Sequence, residues 1–282
     1  NIEKLYSTME LALNHENRGR LTKDGIRLYD NEDFVGMLAA GQLAARILDA
    51  VSAHIFVGQT TGAIDQAITE MVEDAGAKSA TIGYKGYKHA SCISVNHVVC
   101  HGIPSDRILR DGDAINVDVT AIVDEHYGDT SRMFSIGNTS VKLNNLIDTT
   151  HESMMRAIKI LKPGIRLGDI GYEIQSFVED KGFSVVRDFC GHGISTTFHE
   201  PPNILHYGSK NSGMDLRPGM TFTIEPMINA GKYDVKMLND GWTAVTKDKS
   251  LSAQFEHTLG ITENGYEIFT ESAKGYSKPP YL

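Results

Sequence analysis

Asp118, Asp129, Glu225 and Glu256 are acidic residues set in apolar, strand-like sequence, where a carboxylate is poorly solvated unless a cation meets it. In Ile115–Val123 the side chains alternate, so Ile115, Val117 and Val119 share one face and Asn116, Asp118 and Thr120 the other. The chain turns near Asp124-Glu125 and returns through His126–Ile136. A hairpin centred between Val123 and Asp124 sets Asp118 opposite Asp129, with Cβ atoms about 5 Å apart, which is unfavourable unless something positive lies between them. Two arbitrary aspartates are more often solvated surface residues; the branched apolar neighbours of Asp118 argue against that here. In Met220–Glu225, Thr221, Thr223 and Glu225 face away from Phe222 and Ile224, and Pro226 then limits further ladder pairing. In Ala253–Leu259, Gln254, Glu256 and Thr258 oppose Phe255, His257 and Leu259. His192 sits in Cys190-Gly191-His192-Gly193-Ile194, read as a loop whose glycines let the ring approach a crowded centre. Alone, such a histidine is more often structural.

Taken together, four carboxylates at −1 each and one neutral imidazole carry a formal −4. A closed cleft does not hold that charge without compensation. Two divalent cations cancel it, whereas one leaves −2, so the count favours a binuclear site. A mostly oxygen donor set suits Mn, Co, Fe or Mg better than a thiol-rich set would, without choosing among them. Spacing alone does not make the five converge.

The elements that must position these residues are legible at low resolution. Asp33 to Val51 carries apolar residues at helical spacing, and a second helix runs from Thr61, with Thr60 or Thr61 as its cap, to Asp74 before Gly76. Tyr84–Tyr87 reads as a glycine-punctuated loop. Val141–Leu161 and Leu167–Lys181 read as helices stopped by Pro163-Gly164 and Gly182. Strand-like runs occur at Ser91–Val95, Ile115–Val123, His126–Ile136, Phe183–Arg187, Thr221–Ile228, Thr243–Thr246, Ala253–Thr262 and Tyr266–Phe269. The pattern predicts an α+β domain with helices on one face of a mostly antiparallel sheet. Leu109–Asp118 aligns without gaps on Leu216–Glu225: each is a basic-Gly turn feeding a strand that ends on a carboxylate, the signature of two related halves. Three segments are expected: a polar extension over residues 1–30, partly helical around Ile2–Leu13; a catalytic domain over 31–275; and a tail over 276–282.

The 282 residues, 41% hydrophobic and 22% charged, suffice for a substantial core. A net charge of −9 without a basic run argues against nucleic-acid binding by bulk electrostatics. Three cysteines, Cys92, Cys100 and Cys190, with no CxxC pair, point to a reducing, cytoplasmic setting. No apolar stretch reads as a membrane span of about 20 residues.

The segments Asn116–Thr120, Gly128–Ser131, Cys190–Ile194, Thr223–Met227 and Gln254–Thr258 resemble the metal-ligand segments of type I methionine aminopeptidases. Val99–Pro104 and Phe198–Pro202 resemble that family's two active-site histidine segments, and all seven follow its order between about residue 33 and residue 270. The resemblance implies the pita-bread fold, two α+β halves related by a pseudo-twofold axis with antiparallel sheet and outer helices. It implies removal of an initiator methionine from nascent chains, with a small second residue preferred. Carried over, Asp118 chelates one ion, Asp129 and Glu256 bridge two, and His192 and Glu225 complete the other, with ions (Co, Mn, Fe or Zn) about 3.5–4 Å apart. A hydroxide acidified by both ions attacks the scissile carbonyl while Glu225 passes its proton towards the leaving amine. His199 supports the developing oxyanion and His101 bonds the peptide beyond the cleaved bond. Tyr84, Tyr87, Cys92, Phe198 and Trp242 would line the methionine pocket, with His101 at its rim. Asn96, Val98 and Ser252 resemble the family's monovalent-cation site. Thr81 stands where some bacterial members carry Cys and Lys85 where some carry His, which leaves the fine pocket shape open. The absence of CxxC before Cys92 and of a long insertion between His199 and Glu225 matches the short bacterial or organellar form, expected as a monomer with transient ribosome contact and no membrane partner.

Two other readings stay open: an X-Pro aminopeptidase or prolidase-like enzyme of the same fold, and a pita-bread binding protein without catalysis. The first usually brings a large N-terminal domain. The second should lack ligand residues or be basic.

Overall fold

A computed structural model describes residues 18–281; the helix expected around Ile2–Leu13 lies outside them. Within the expected polar extension, β1 (Arg20–Leu21) and β2 (Arg27–Leu28) form a small hairpin that buries Ile26. The first half then runs through α1 (Asn31–Val51), α2 (Thr61–Asp74), β3 (Lys78–Ser79), β4 (Ser91–Val95), β5 (Val98–Cys100), β6 (Ala114–Val123) and β7 (His126–Ser135). Asp30 caps α1 by accepting from the Asp33 amide, and Thr60 caps α2 by accepting from the Ala63 amide. The second half comprises α3 (Val141–Lys159), α4 (Leu167–Asp180), β8 (Ser184–Val185), β9 (Gly191–Gly193), β10 (Glu200–Ile204), β11 (Thr221–Ile224) and β12 (Met227–Asn229). It continues through β13 (Val235–Met237), β14 (Ala244–Thr246), β15 (Ser252–Gln254), β16 (His257–Ile261) and β17 (Tyr266–Ile268).

Every strand pairing among these elements is antiparallel, as the α+β reading expects. One core gathers Leu48, Ile64, Ile68, Ile93, Val117 and Val119 between the first helix pair and β4–β6. The other gathers Leu146, Ile174, Phe222, Ile224, Ile228 and Phe255 between the second helix pair and its strands. The internal repeat has a structural counterpart. Gly112 and Gly219 both adopt left-handed φ, 89° and 91°, which a side chain would strain. The Gly112 amide donates to Ile136 O and Asp113 O accepts from Ile136 N; Gly219 and Met220 exchange the same pair of bonds with Ile261.

Three expectations need correction. The β6–β7 turn is centred on Asp124-Glu125, both left-handed, so Asp118 faces Ser131 and Asp129 faces Thr120. The two aspartates are diagonal neighbours on one face, not direct opposites. A turn centred one residue earlier would force β-branched Val123 to positive φ, whereas the observed two-residue turn suits strand twist. The expected strands Thr221–Ile228 and Ala253–Thr262 are each interrupted, at Glu225-Pro226 and Phe255-Glu256. His192 lies in β9, hydrogen-bonded between β10 and β11, not in a loop. Its flanking glycines serve close packing: a Cβ on Gly191 would lie 2.3 Å from Thr223 O, and one on Gly193 2.4 Å from Pro201 O.

The expectation of no membrane-length apolar stretch also needs amending. The helical stretch Asn31–His54, α1 with the turn after it, has sufficient length and mean hydropathy (1.4), but 61% of its most apolar window is buried inside the fold. Beneath α1, Arg132 Nη1 donates to Asp49 Oδ1 at 2.5 Å with both side chains 4% exposed. Ser272 Oγ, from the segment after β17, donates to the same oxygen. Arg132→Ala is therefore expected to cost about 3–5 kcal/mol, since Asp49 would stay buried without its cation. Denaturant unfolding at neutral pH measures this, and a loss within about 1 kcal/mol would contradict it.

Candidate active site

The two halves are stitched together at the carboxylates. Thr258 Oγ1 accepts from the Asp129 amide at 3.1 Å and donates to Asp129 O at 2.6 Å. Thr130 Oγ1 donates to Glu256 O, and Asn116 Nδ2 to Gln254 O. Ser131 and Glu256 form an isolated bridge, so β7 carries the ladder across to the second half. On the other side of Glu256, the flanking pairs Ile224–His257 and Met227–Gln254 share one register. That register sets Glu225 opposite Glu256 across the paired interruption, the like-charge opposition first expected for the aspartates.

Single donor atoms of Asp129, His192 and Glu256 lie within 4.8 Å of one another. His192 Nε2 is 3.6 Å from Asp129 Oδ2 and 3.5 Å from Glu225 Oε1. Asp118 lies beside Asp129 and Glu256. The five acidic and histidine residues singled out by sequence are thus brought to one place. His192 Nδ1 lies 3.0 Å from Gly193 O, which can only accept, so Nδ1 carries a proton and Nε2 is the ring nitrogen that faces the carboxylates and could ligate a cation. Asp118 Oδ1 and Glu256 Oε1 are buried with no hydrogen-bond partner among the described residues. Orphaned buried carboxyl oxygens in a cluster that includes a histidine ring nitrogen fit a cation, and the donor set is oxygen-rich with one nitrogen.

The electrostatics agree. Burial, then neighbouring Asp129, raises Asp118 well above the ordinary aspartate range, and the same two causes raise Glu256. Glu225 is pushed up to about 7, by burial first and Asp129 next, against the opposing pull of His192. Asp129 is lowered: burial opposes this, but the nearby His192 and the hydrogen bond from the Thr120 hydroxyl outweigh burial. His192 is raised by Asp129 and Glu225 in spite of burial. His199 falls to about 4 through burial and the nearby His192, which keeps its imidazole neutral at pH 7.

Asp118, Asp129, His192 and Glu225 open onto a cavity of about 570 Å³, with Glu256 buried behind them. Tyr84, Tyr87, Cys92, Phe198, Trp242, His101 and His199 all line it. Phe198 stacks on His199 at 4.1 Å and meets Tyr84 at 5.0 Å, while Tyr87 meets Trp242 edge-on at 5.0 Å. Tyr84 Oη and His199 Nδ1 are 3.0 Å apart, and His101 rests edge-on against Phe189. Tyr87 is fixed by its hydroxyl bond to Ser91 O. Asn96 and Ser252, grouped by sequence as a cation site, meet through the Ser252 amide bond to Asn96 O; the Asn96 side chain is engaged by Asp113 and Ala114.

Sequence reasoning overlooked the residues that hold the carboxylates. Thr120 donates to Asp129 and Thr223 to Glu225, and alternation had already put both hydroxyls on the correct faces. Gln254 donates to both the carbonyl and the carboxylate of Glu225. His206 accepts the Glu225 amide, and nothing in its local sequence signals this.

Comparison with known proteins places this architecture. The profile of metallopeptidase family M24 matches residues 35–263. A protein of Escherichia coli (strain K12) named methionine aminopeptidase is 51% identical over 241 residues, covering 85% of this chain and 91% of its own. The crystal structure of methionine aminopeptidase from Rickettsia prowazekii superposes with a TM-score of 0.86 at 50% identity, covering 87% of this chain and 99% of that one. Prolidase from Pyrococcus furiosus shares the fold at a TM-score of 0.70 and 21% identity, over 86% of this chain and 65% of its own.

Proposed function

The chain belongs to metallopeptidase family M24, on its methionine aminopeptidase branch, with that group's pita-bread fold, and on this premise we propose that it removes the initiator methionine from nascent chains by two-metal hydrolysis, preferring a small second residue. The observation that carries the reading is the cavity itself, with carboxylates and His192 at its floor and aromatic rings with Cys92 as its wall. Asp118, Asp129, His192, Glu225 and Glu256 would hold the two divalent ions, which when bound acidify water and polarise a carbonyl. The unpartnered oxygens of Asp118 and Glu256 support this assignment.

The chain's own residues supply the rest. Glu225 accepts a proton at its carboxylate and returns it to the leaving amine. Neutral His199 offers an N–H to the developing oxyanion, with its ring braced between Phe198 and the Tyr84 hydroxyl. His101 bonds the peptide beyond the cleaved bond. The Tyr84, Tyr87, Cys92, Phe198 and Trp242 wall excludes water and offers polarisable surface to an unbranched thioether. Three free cysteines accord with action in the reducing cytoplasm. The X-Pro reading finds little support, because prolidases share only the fold at about a fifth identity. The inactive reading is not favoured, because all five expected ligand residues are present and Asp129, His192, Glu225 and Glu256 lie close together.

Purified protein loaded with Mn or Co is expected to release Met from Met-Ala-Ser and to leave peptides cleaved only before proline untouched. Correctly folded, metal-loaded protein without turnover would sink the proposal.

A further inference from the structure

The structure assigns His206 as a positioning residue for Glu225, an inference that rests on the reading of Glu225 as metal ligand and proton carrier. Glu225 occupies the gap where β11 stops and β12 has not begun, so its amide has no ladder partner. An unpaired buried amide is costly, and in a broken strand it would let the carboxylate wander. His206, fully buried just after β10, accepts that amide at Nε2 at 3.1 Å. Acceptance at Nε2 puts the ring proton on Nδ1, so only the neutral imidazole in one tautomer can serve.

The other polar atoms of Glu225 are held in turn. Gln254 Nε2 donates to Glu225 O at 3.1 Å and to Oε2 at 3.3 Å, and Thr223 Oγ1 donates to Oε1 at 2.8 Å. Gln254 and Thr223 belong to the strands flanking the interruption and come with the ladder. His206 comes from a connecting segment and is the only one of the three that anchors the amide. Pro226, lacking an N–H, cannot help. His206 thus fixes where the Glu225 backbone lies, and through it where the carboxylate meets Asp129 and His192.

Three measurements on metal-stripped protein test this: Mn affinity by calorimetry, thermal unfolding, and kcat and KM on Met-Ala-Ser after reloading. His206→Leu, which removes the acceptor, is expected to weaken Mn binding about 10–100-fold and lower kcat comparably while KM stays within about twofold. His206→Gln restores an acceptor oxygen near the Nε2 position and is expected to recover most of both losses, although it perturbs packing as much. A merely structural role predicts that both variants lose Mn affinity in step with unfolding temperature, and that result overturns the inference. So does wild-type Mn affinity and kcat in His206→Leu. If His206→Leu does not fold, His206→Asn, polar but too short to reach the amide, takes its place beside His206→Gln with the same expected contrast. Glu225→Gln runs in parallel. Wild-type Mn affinity there rejects the ligand reading itself, whereas loss there without loss in His206→Leu rejects only the role of His206.

Discussion

Glu225→Gln is expected to lower kcat by about 10²–10⁴-fold, the range contributed by a positioned acid–base group, with the fold intact. Glutamine matches glutamate in shape and can still accept from Thr223, and its backbone keeps the His206 and Gln254 bonds. What disappears is the carboxylate proposed to accept a proton and return it to the leaving amine. The substitution also removes one negative charge facing Glu256, so metal-stripped variant should unfold no earlier than wild type. Steady-state rates on Met-Ala-Ser at saturating Mn, alongside thermal melts and bound-metal content, measure the effect. Rates near wild type would remove the proton-transfer role.

Chelation is expected to abolish turnover, with full recovery as two equivalents of Mn return, as the charge of four carboxylates and one imidazole requires. Saturation at one equivalent would reduce the centre to a single ion. The same titration has a pH signature of fixed sign. Asp118, Glu225 and Glu256 are all raised in the fold, so as free acids they stabilise the stripped protein at low pH. That contribution is fully present below the ordinary values of 3.8 for aspartate and 4.5 for glutamate, and the share of Glu225 fades as pH rises through about 7. Mn needs those groups ionised, so protons compete with it. The rise in unfolding temperature on adding Mn should therefore grow from about pH 5 to about pH 8. A rise that shrinks over that interval would contradict the assignment of these carboxylates.

Much of this protein was legible in its sequence because the signals were local. The 3.6-residue period and a Thr cap gave α2 as Thr61–Asp74, and alternation put Asp118 with Thr120, and Glu225 with Thr223, on shared faces. Two similar decapeptides disclosed the paired halves, because a left-handed glycine turn feeding a strand leaves the same imprint twice. Charge balance alone asked for cations.

What tertiary structure decided is everything that depends on which strand lies beside which. The β6–β7 register moved by one residue per strand because the turn chose Asp124-Glu125 over Val123, and no count of alternation senses that choice. The gaps at Glu225-Pro226 and Phe255-Glu256 open opposite one another, since an unpaired stretch on one strand leaves its partner unpaired too. His192 became a strand residue only because β10 and β11 flank it, and His206 reached the Glu225 amide from a segment with no periodicity to read. Local chemistry therefore named the acidic residues and their faces, while long-range pairing set the distances at which they act.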